Sequence, residues 1–301
     1  MRARRTPKQP GDRNWTARLR RGRSSVLDRI TYVVVAIILL CALFGPLIAP
    51  SHAFESDIMN SFAPPSAAHW FGTDDQGRDV FWRVVAGTQV SVLSSMAIVA
   101  GYALIAVVIA TLATVGGRAV DTVLMSACDI GLAIPPMIAA LGFAAALGPS
   151  LRSGIIAMIL AGWTISARLL RVIMRRTMEQ PFVNSARAVG ASTARLMIRH
   201  VLPESLDNLF VKWTADVGTT IVALAALSFI GVGAQPPSAE WGAMIAGSQS
   251  YIANAWWAVA APGLAIVITA TAFGLLGDIL QVRRDPALRA APRVRRKEIA
   301  R

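Results

Sequence analysis

The sequence predicts an all-α membrane protein with six transmembrane helices, and three observations support this class. The 301 residues are 54% hydrophobic with a mean hydropathy of +0.53, which is more apolar than an ordinary soluble domain. Six long apolar segments alternate along the chain with shorter polar segments. Lys and Arg are concentrated in every second polar segment, as in membrane proteins whose basic loops stay on one side.

The first apolar segment, residues 30–49, is 20 residues long and can cross a hydrocarbon core of about 30 Å. A cleaved signal peptide is the alternative, because Ser51-His52-Ala53 resembles a cleavage site. The apolar run is longer than a usual signal-peptide core, so we expect an uncleaved span. The other predicted spans are residues 90–115, 122–147, 154–173, 209–232 and 256–280.

The basic residues predict the orientation of these spans. With the N-terminus inside the cell, 27 of the 30 Lys and Arg lie in the inner segments or at the inner ends of the adjoining spans, and the outer segments hold only Arg78, Arg83 and Arg152. We therefore expect both termini in the cytoplasm. The net charge of +13 sits at the two ends and around residues 181–203, which indicates topology rather than a nucleic-acid partner. The predicted organisation is a basic arm at 1–29, the first span at 30–49, an extracytoplasmic segment at 50–89, a core of five spans at 90–280 and a basic tail at 281–301.

Residues 181–203 form a polar interruption with two helical patterns. Phe182, Ala186 and Val189 are spaced as the apolar stripe of a short helix that begins at Pro181. Gly190 breaks the pattern. A second short helix follows, capped by Ser192, with Leu196, Met197, His200 and Val201 on one side and Pro203 at its end. We interpret the pair as a docking surface for another protein; an ordinary loop is the alternative.

This interruption resembles the EAA loop by which permeases of bacterial ABC importers dock into their ATPases. Residues 184–186 stand for the EAA triplet, Gly190 follows at the family spacing, and Leu202-Pro203 closes the motif. Two other segments, HWFGTDDQGRDVFWR at 69–83 and LSFIGVGAQPPSAEWG at 227–242, are similar to motifs of the dipeptide, oligopeptide and nickel permeases, in particular their C-type subunit. Asn184 and Ser185 depart from the usual Glu and Ala, so we expect docking to survive with an altered partner preference.

The resemblance implies a type I ABC importer permease in the bacterial inner membrane. It implies import of peptides, with nickel or another small solute as the alternative, and four kinds of partner beside membrane lipid: a second homologous permease, two cytoplasmic ATPase subunits, an extracytoplasmic binding protein and the peptide. The residues that it implies for ATPase coupling are Asn184, Ser185, Ala186, Gly190, His200, Leu202 and Pro203. Those implied for an outer gate or binding-protein contact are Gly72, Thr73, Asp74, Gly77, Arg78 and Asp79, with Gln235, Pro236, Pro237 and Trp241 in the loop before the last helix.

Nothing in the sequence predicts an enzyme. A phosphate-binding loop needs Gly-Lys-Ser/Thr, but Lys8, Lys212 and Lys297 precede Gln, Trp and Glu. We therefore expect no cofactor in this chain, with ATP and Mg²⁺ on the partner ATPase subunits. The three histidines are isolated in sequence, which predicts no metal site.

Several polar residues allow two interpretations. Asp129, Asp216 and Asp278 lie within or near apolar spans and are expected to lie at the interface or to pair within helices; proton-coupled secondary transport is the alternative. The Asp and Arg residues of 72–79 are expected to pair among themselves, with substrate or binding-protein contact as the alternative. Pro135-Pro136 and Pro262-Gly263 indicate either kinks beside a transport path or tolerated packing features.

Overall fold

The computed structural model describes residues 26–50 and 53–284, so most of the predicted basic arm (1–29) and tail (281–301) lie outside the described residues. Within these ranges the chain is helical and contains no strand. The α-helices are α1 (Val26–Ile48), α2 (Val80–Val115), α3 (Gly117–Ala133), α4 (Pro136–Leu147), α5 (Leu151–Met178), α6 (Pro181–Ala188), α7 (Thr193–Leu196), α8 (Leu202–Ile230), α9 (Trp241–Ser248) and α10 (Trp256–Arg284).

Five of these helices, α1, α2, α5, α8 and α10, are long and apolar enough to cross a membrane. The third predicted span, 122–147, is broken into α3 and α4, whose axes differ by 91°. Pro135-Pro136 therefore marks a kink, which is one of the two interpretations that the sequence left open. Ile134 is extended (φ −97°, ψ 125°), because a residue before proline avoids the helical region and Pro135 and Pro136 supply no N–H.

Helix α2 begins at Val80, ten residues before the predicted start of the second span at residue 90. These ten residues include the polar side chains of Arg83, Thr88 and Gln89. In the structure the Arg83 side chain is buried, and the carboxylate of Asp79 caps the helix by accepting from the N–H of Trp82 at 3.0 Å.

The bundle has two ends. The loop end carries residues 53–79 and 231–255, and the α6 end carries residues 179–201. The main core lies between α1, α2, α8, α9 and α10, where the fully buried side chains include Ile98, Ile221, Leu224 and Trp241. A second core at the α6 end joins α5 to the short helices, and its members are Ala110, Leu170, Met174, Val183, Leu196, Met197, Val201 and Leu209.

The chain from α6 to α8 is almost continuous. Gly190 turns with φ +89°, Ser192 caps α7 by accepting from the N–H of Arg195 at 3.4 Å, and a π-helical turn at Met197–Val201 leads directly into α8. The prediction that Pro203 ends the second short helix was wrong. Pro203 lies in the first turn of α8, where a missing N–H costs nothing.

Candidate functional site

At the loop end, Asp74 organises the glycine-bounded turn. Its Oδ1 accepts from the backbone N–H groups of Gln76 at 2.9 Å and Arg78 at 3.0 Å, and its Oδ2 accepts from Arg78 Nε at 2.8 Å. Gly77 gives the turn its positive φ of +73°. Asp74 and Arg78 are both buried, so the predicted internal pairing is what the structure has.

Arg83 connects this turn to the loop before α9. Its guanidinium donates to the carbonyl oxygens of Pro237 at 3.3 Å and Ser238 at 3.4 Å, and its Nε lies 3.4 Å from Asp74 Oδ2. The side chain is only 3% exposed. A buried guanidinium that loses a partner costs several kcal/mol, typically about 3–5. Arg83, which the sequence did not single out, therefore holds two of the predicted loop regions together.

The other predicted gate residues also lie within this network. Asp79 Oδ2 lies 2.9 Å from His69 Nδ1, and the Thr73 carbonyl accepts from Trp257 Nε1 at 3.1 Å. Gly72 (φ +65°) packs against the same indole. The polar groups of these residues have hydrogen-bond partners within the chain itself, which indicates a structural role for the turn.

A cavity of about 110 Å³ lies between the turn and α9. Asp75 and Gln76 line it together with Met244 and Ser248 of α9. Burial raises the pKa of the Asp75 carboxyl above its ordinary value, and the neighbouring Asp74 carboxylate raises it further. The Arg78 guanidinium, 3.7 Å away, opposes that rise.

The loop before the last helix is anchored by Trp241, which begins α9. Its backbone N–H donates to Ser91 Oγ at 3.1 Å and its Nε1 donates to the Val84 carbonyl at 3.0 Å. Gln235 closes the preceding turn by donating to the carbonyls of Gly231 and Gly233. Pro236 and Ser238 line the cavity wall, and Pro237 supplies its carbonyl to Arg83.

Glu240 was not predicted as a site residue, yet at 1% exposure it is as buried as Asp79 at this end. Its Oε2 caps α9 by accepting from Ala243 N–H at 2.9 Å, and its Oε1 lies 3.5 Å from Ser91 Oγ of α2. Burial raises the pKa of Glu240, and hydrogen bonds from Ser228, Ser91 and the α9 backbone oppose this. The sequence signal for Glu240 is an acidic residue directly before Trp241, where α9 begins.

We expect Glu240 to make stability fall with rising pH. Below the ordinary carboxyl pKa of 4.5 both folded and unfolded chains are protonated at this position. Above it the folded protein retains the proton longer, so the free energy of unfolding falls until the pH passes the raised pKa, by at most about 1.4 kcal/mol per pH unit. Thermal unfolding of the purified protein in detergent from pH 4 to pH 8 measures this slope. Glu240→Gln removes it, whereas Glu55→Gln, an exposed acid of the same end, retains it; equal slopes in both variants contradict the assignment.

At the α6 end, the predicted docking residues form one exposed surface on a packed base. Ser185 Oγ donates to the Pro181 carbonyl at 2.9 Å and Asn184 Nδ2 donates to the Glu179 carbonyl at 3.3 Å, so both polar side chains stay at the surface. Ala186 and His200 are half-buried, Leu202 packs partly against the second core, and Gly190 and Pro203 are exposed.

The apolar stripe predicted for α6 was partly wrong. Val183, which the prediction omitted, is the fully buried residue of α6, and Phe182 and Val189 point to solvent. Phe182 is 47% exposed, Val189 86% and Ile198, on the π turn, 69%. We call these three residues the α6 patch. The sequence could not distinguish the two faces, because both are apolar and α6 has only two turns.

Asp121, Asp129 and Asp216 of the spans are paired, and within the described ranges the Asp278 side chain makes no hydrogen bond or ion pair. Asp216 accepts from Lys212 in the same helix, as predicted, and also from Tyr102 Oη at 2.7 Å. Asp129 of α3 pairs with Arg168 of α5, an interhelical contact that the sequence did not reveal. Asp121 binds Arg171 and, at 2.7 Å, Arg175. Among the described residues no group of three or more His, Cys, Asp or Glu side chains could hold a metal ion.

Comparisons with known proteins agree with this architecture. Residues 103–290 match the family described as the binding-protein-dependent transport system inner membrane component, and residues 19–65 match the N-terminal transmembrane domain of oligopeptide transport permease C. The chain is 39% identical to the probable D,D-dipeptide transport system permease protein of Escherichia coli over 88% of this chain and 89% of that protein.

Two further relatives are equally extensive. The dipeptide transport system permease protein of Alkalihalophilus pseudofirmus is 34% identical over 92% of this chain and 91% of that protein. The glutathione transport system permease protein of Shigella flexneri is 35% identical over 91% of each. The chain therefore belongs to the family of binding-protein-dependent transport system inner membrane components, which are permease subunits of ABC importers and not enzymes.

Proposed function

We propose that this chain is the C-type permease of an ATP-driven importer of short peptides. The observation that carries the proposal is the α6 patch, an exposed apolar surface on short helices that are rigidly packed onto α5 and α8. Exposed apolar patches mark interaction sites. The relatives described above are named as permeases for D,D-dipeptides, dipeptides and glutathione. These names support a peptide cargo.

The proposed machine contains this chain, a second homologous permease, two ATPase subunits and an extracytoplasmic binding protein. ATP and Mg²⁺ bind to the ATPase subunits. Closure of the ATPase pair pushes on the α6 patch, and the second core transmits this motion, because Val183 packs with Leu170 and Met174 of α5 and with Leu209 of α8. The path then alternates between outward and inward access by rigid-body movement of helices.

The proposed orientation places the α6 end and both termini in the cytoplasm and the loop end outside. The distribution of Lys and Arg supports it, since only Arg78, Arg83 and Arg152 lie in segments assigned to the outside. In the structure, Arg78 and Arg83 share Asp74 as an ion-pair partner, and Asp75 lies 3.7 Å from Arg78. Labelling of cysteines placed at residue 76 from outside and residue 192 from inside tests this orientation.

We expect Val189→Asp to disconnect the ATPase. The side chain is 86% exposed, so the substitution leaves the helix bundle folded and places a charge only on the docking surface. Peptide uptake falls at least tenfold, and the ATPase subunits no longer co-purify with the permease. Val189→Ala, which adds no charge, retains most of both. Normal uptake by the Asp variant contradicts docking through the α6 patch.

The cargo is tested by uptake of radiolabelled dipeptides and of nickel in a strain that lacks the chain, with and without the gene restored. Restored dipeptide uptake that disappears when the ATPase subunits are inactivated supports the proposal. Restored uptake that needs a proton gradient but no ATPase supports a secondary transporter instead.

A further inference from the structure

An ion pair between two spans lies on the outside of the described bundle. Asp129 of α3 and Arg168 of α5 contact each other, and the side chain of each remains 53% exposed. Two residues beyond Asp129, Gly131 packs so closely on Thr164 that an added Cβ would lie 2.5 Å from its Cγ2. Thr164 lies at the middle of α5, and Arg168 is one turn away. The pair therefore lies about one turn from the middle of α5, on the side of the α6 end.

A charge at this position is costly if it faces lipid. Charged residues within spans face the bundle interior or a water-filled cavity, because hydrocarbon cannot solvate them. Pairing removes only part of the cost, since about half of each side chain remains open. A surface of the bundle that exposes both charges is therefore better suited to water than to lipid.

Helix α3 has three faces, and their side chains suit three different surroundings: the protein interior, lipid and water. Asp121 and Cys128 lie on the face packed against α2 and α5. Val123 and Ile130, exposed by 68% and 70%, share an apolar face. The third face contains Thr122, Ser126 and Asp129, all exposed, within about 60° of one another at 100° per residue. The apolar face fits lipid, and the polar face, whose centre lies about 80° around the helix, does not.

We propose that this polar face of α3, with the Asp129–Arg168 pair, lines the water-filled path between this chain and its second permease, and that the pair contacts the charged ends of a passing peptide. The Arg168 guanidinium matches a peptide carboxylate, and the Asp129 carboxylate matches a peptide ammonium group. The path assignment stands on the geometry of α3, and the contact with peptide rests on the proposed function.

Cysteine labelling tests the path assignment with controls from the same helix. Thr122→Cys and Ser126→Cys report on the polar face. Val123→Cys, adjacent to Thr122, and Ile130→Cys, about 6 Å beyond Ser126 along the helix, report on the apolar face. The complex with its ATPases is placed in lipid nanodiscs in a Cys41→Ala background, in which the buried Cys128 gives the unreactive baseline. A charged, membrane-impermeant methanethiosulfonate reagent is applied with and without trapped nucleotide.

We expect the two polar-face cysteines to react at least tenfold faster than the apolar-face pair in one nucleotide state or both. Equal rates on the two faces overturn the assignment. Slow reaction of all four positions in both states also overturns it, because it places the polar face against a dry subunit interface or lipid.

A charge exchange tests the contact with peptide. If the pair only joins α3 to α5, Asp129→Arg combined with Arg168→Asp restores the contact, and uptake returns to within twofold of the wild type. If the pair meets the peptide, the exchanged complex co-purifies with its ATPases at the wild-type yield, but dipeptide uptake stays at least tenfold lower. Full recovery of uptake overturns the contact.

Cysteine labelling and the uptake assay distinguish a failure of the path assignment from a failure of the proposed peptide cargo. Labelling requires no peptide, so fast labelling of the polar face in a wild type without dipeptide uptake leaves the path in place and rejects the cargo. Dipeptide uptake by the wild type with equal labelling of both faces leaves the cargo in place and rejects the path assignment.

Discussion

Replacing Gly77 with alanine is expected to unfold the loop end. A Cβ at this position would lie 1.7 Å from the carbonyl oxygen and 2.6 Å from the carbonyl carbon of Asp57, so the clash is with backbone and cannot be relieved by a rotamer change. The φ of +73° adds about 1–2 kcal/mol for any residue with a Cβ. We expect a loss of more than about 3 kcal/mol in the free energy of unfolding, because the clash adds to this strain.

Thermal unfolding in detergent, followed by tryptophan fluorescence, measures this loss. Trp241 and Trp257 report on the loop end, since the former donates to the Val84 carbonyl and the latter to the Thr73 carbonyl. The turn that Gly77 forms positions the N–H groups that Asp74 accepts, and Asp74 in turn holds Arg78 and Arg83. A local clash therefore propagates to the contact between the two outer loops.

Two glycines of the same chain serve as controls. Gly190 has a comparable φ of +89° but no atom within 4 Å of an added Cβ, so Gly190→Ala tests strain alone and costs about 1–2 kcal/mol. Gly142 lies within α4 with ordinary φ and open space, so Gly142→Ala is neutral or slightly stabilising. If Gly77→Ala unfolds at the same temperature as Gly190→Ala, the close approach to Asp57 is not part of the native structure.

The sequence predicted the class of fold because long apolar runs and the distribution of Lys and Arg depend on no tertiary contact. Errors occurred where tertiary structure gives a residue a partner. Arg83 marked residues 80–89 as polar, yet its charge is buried beside Asp74 and three carbonyl oxygens, and the helix begins at Val80. Hydropathy treats a buried, ion-paired guanidinium and a solvated one alike, so the start of helix α2 could not be read from the chain.

The docking segment at the α6 end and the site at the loop end were also predicted only in part. The positions of the docking segment followed from Pro181, Gly190 and Ser192, because turns and caps are local. Which apolar residues face outward did not follow, since Phe182 and Val183 are neighbours of equal hydrophobicity and only packing against α5 separates them. Glu240 was missed because its role depends on tertiary contacts with Ser91, which lies 149 residues earlier in the chain, and with Ser228 at the end of α8.

Helix α8 connects the two ends of the bundle. Near its start, Leu209 belongs to the second core beneath the α6 patch, and near its end Ser228 accepts from Ala234 N–H at 3.0 Å in the loop that leads to α9. Its middle carries the Asp216 contact to Tyr102 of α2. Under the proposed docking, one packed helix joins the α6 patch to the loop end, and we therefore expect coupling mutants that have no contact with the cargo.

Introducing tryptophan at Gly190 is expected to abolish this coupling. Nothing in the described chain lies within 4 Å of a Cβ at this position, and the residue is exposed, so the permease itself accommodates a large side chain. The indole then projects from the turn between α6 and α7 into the surface that receives the ATPase. Peptide uptake is expected to fall at least tenfold, and ATP hydrolysis by the complex no longer responds to the liganded binding protein.

Comparison with Gly190→Ala isolates the cause, because the two variants share the strain of φ +89° and differ only in bulk. Equal melting temperatures of the purified permeases combined with uptake lost in the tryptophan variant alone place the defect at the contact with the ATPase. Loss of uptake in both variants assigns it to the altered turn instead. Normal uptake in the tryptophan variant is incompatible with docking at this turn, and the ATPase must then engage the bundle elsewhere.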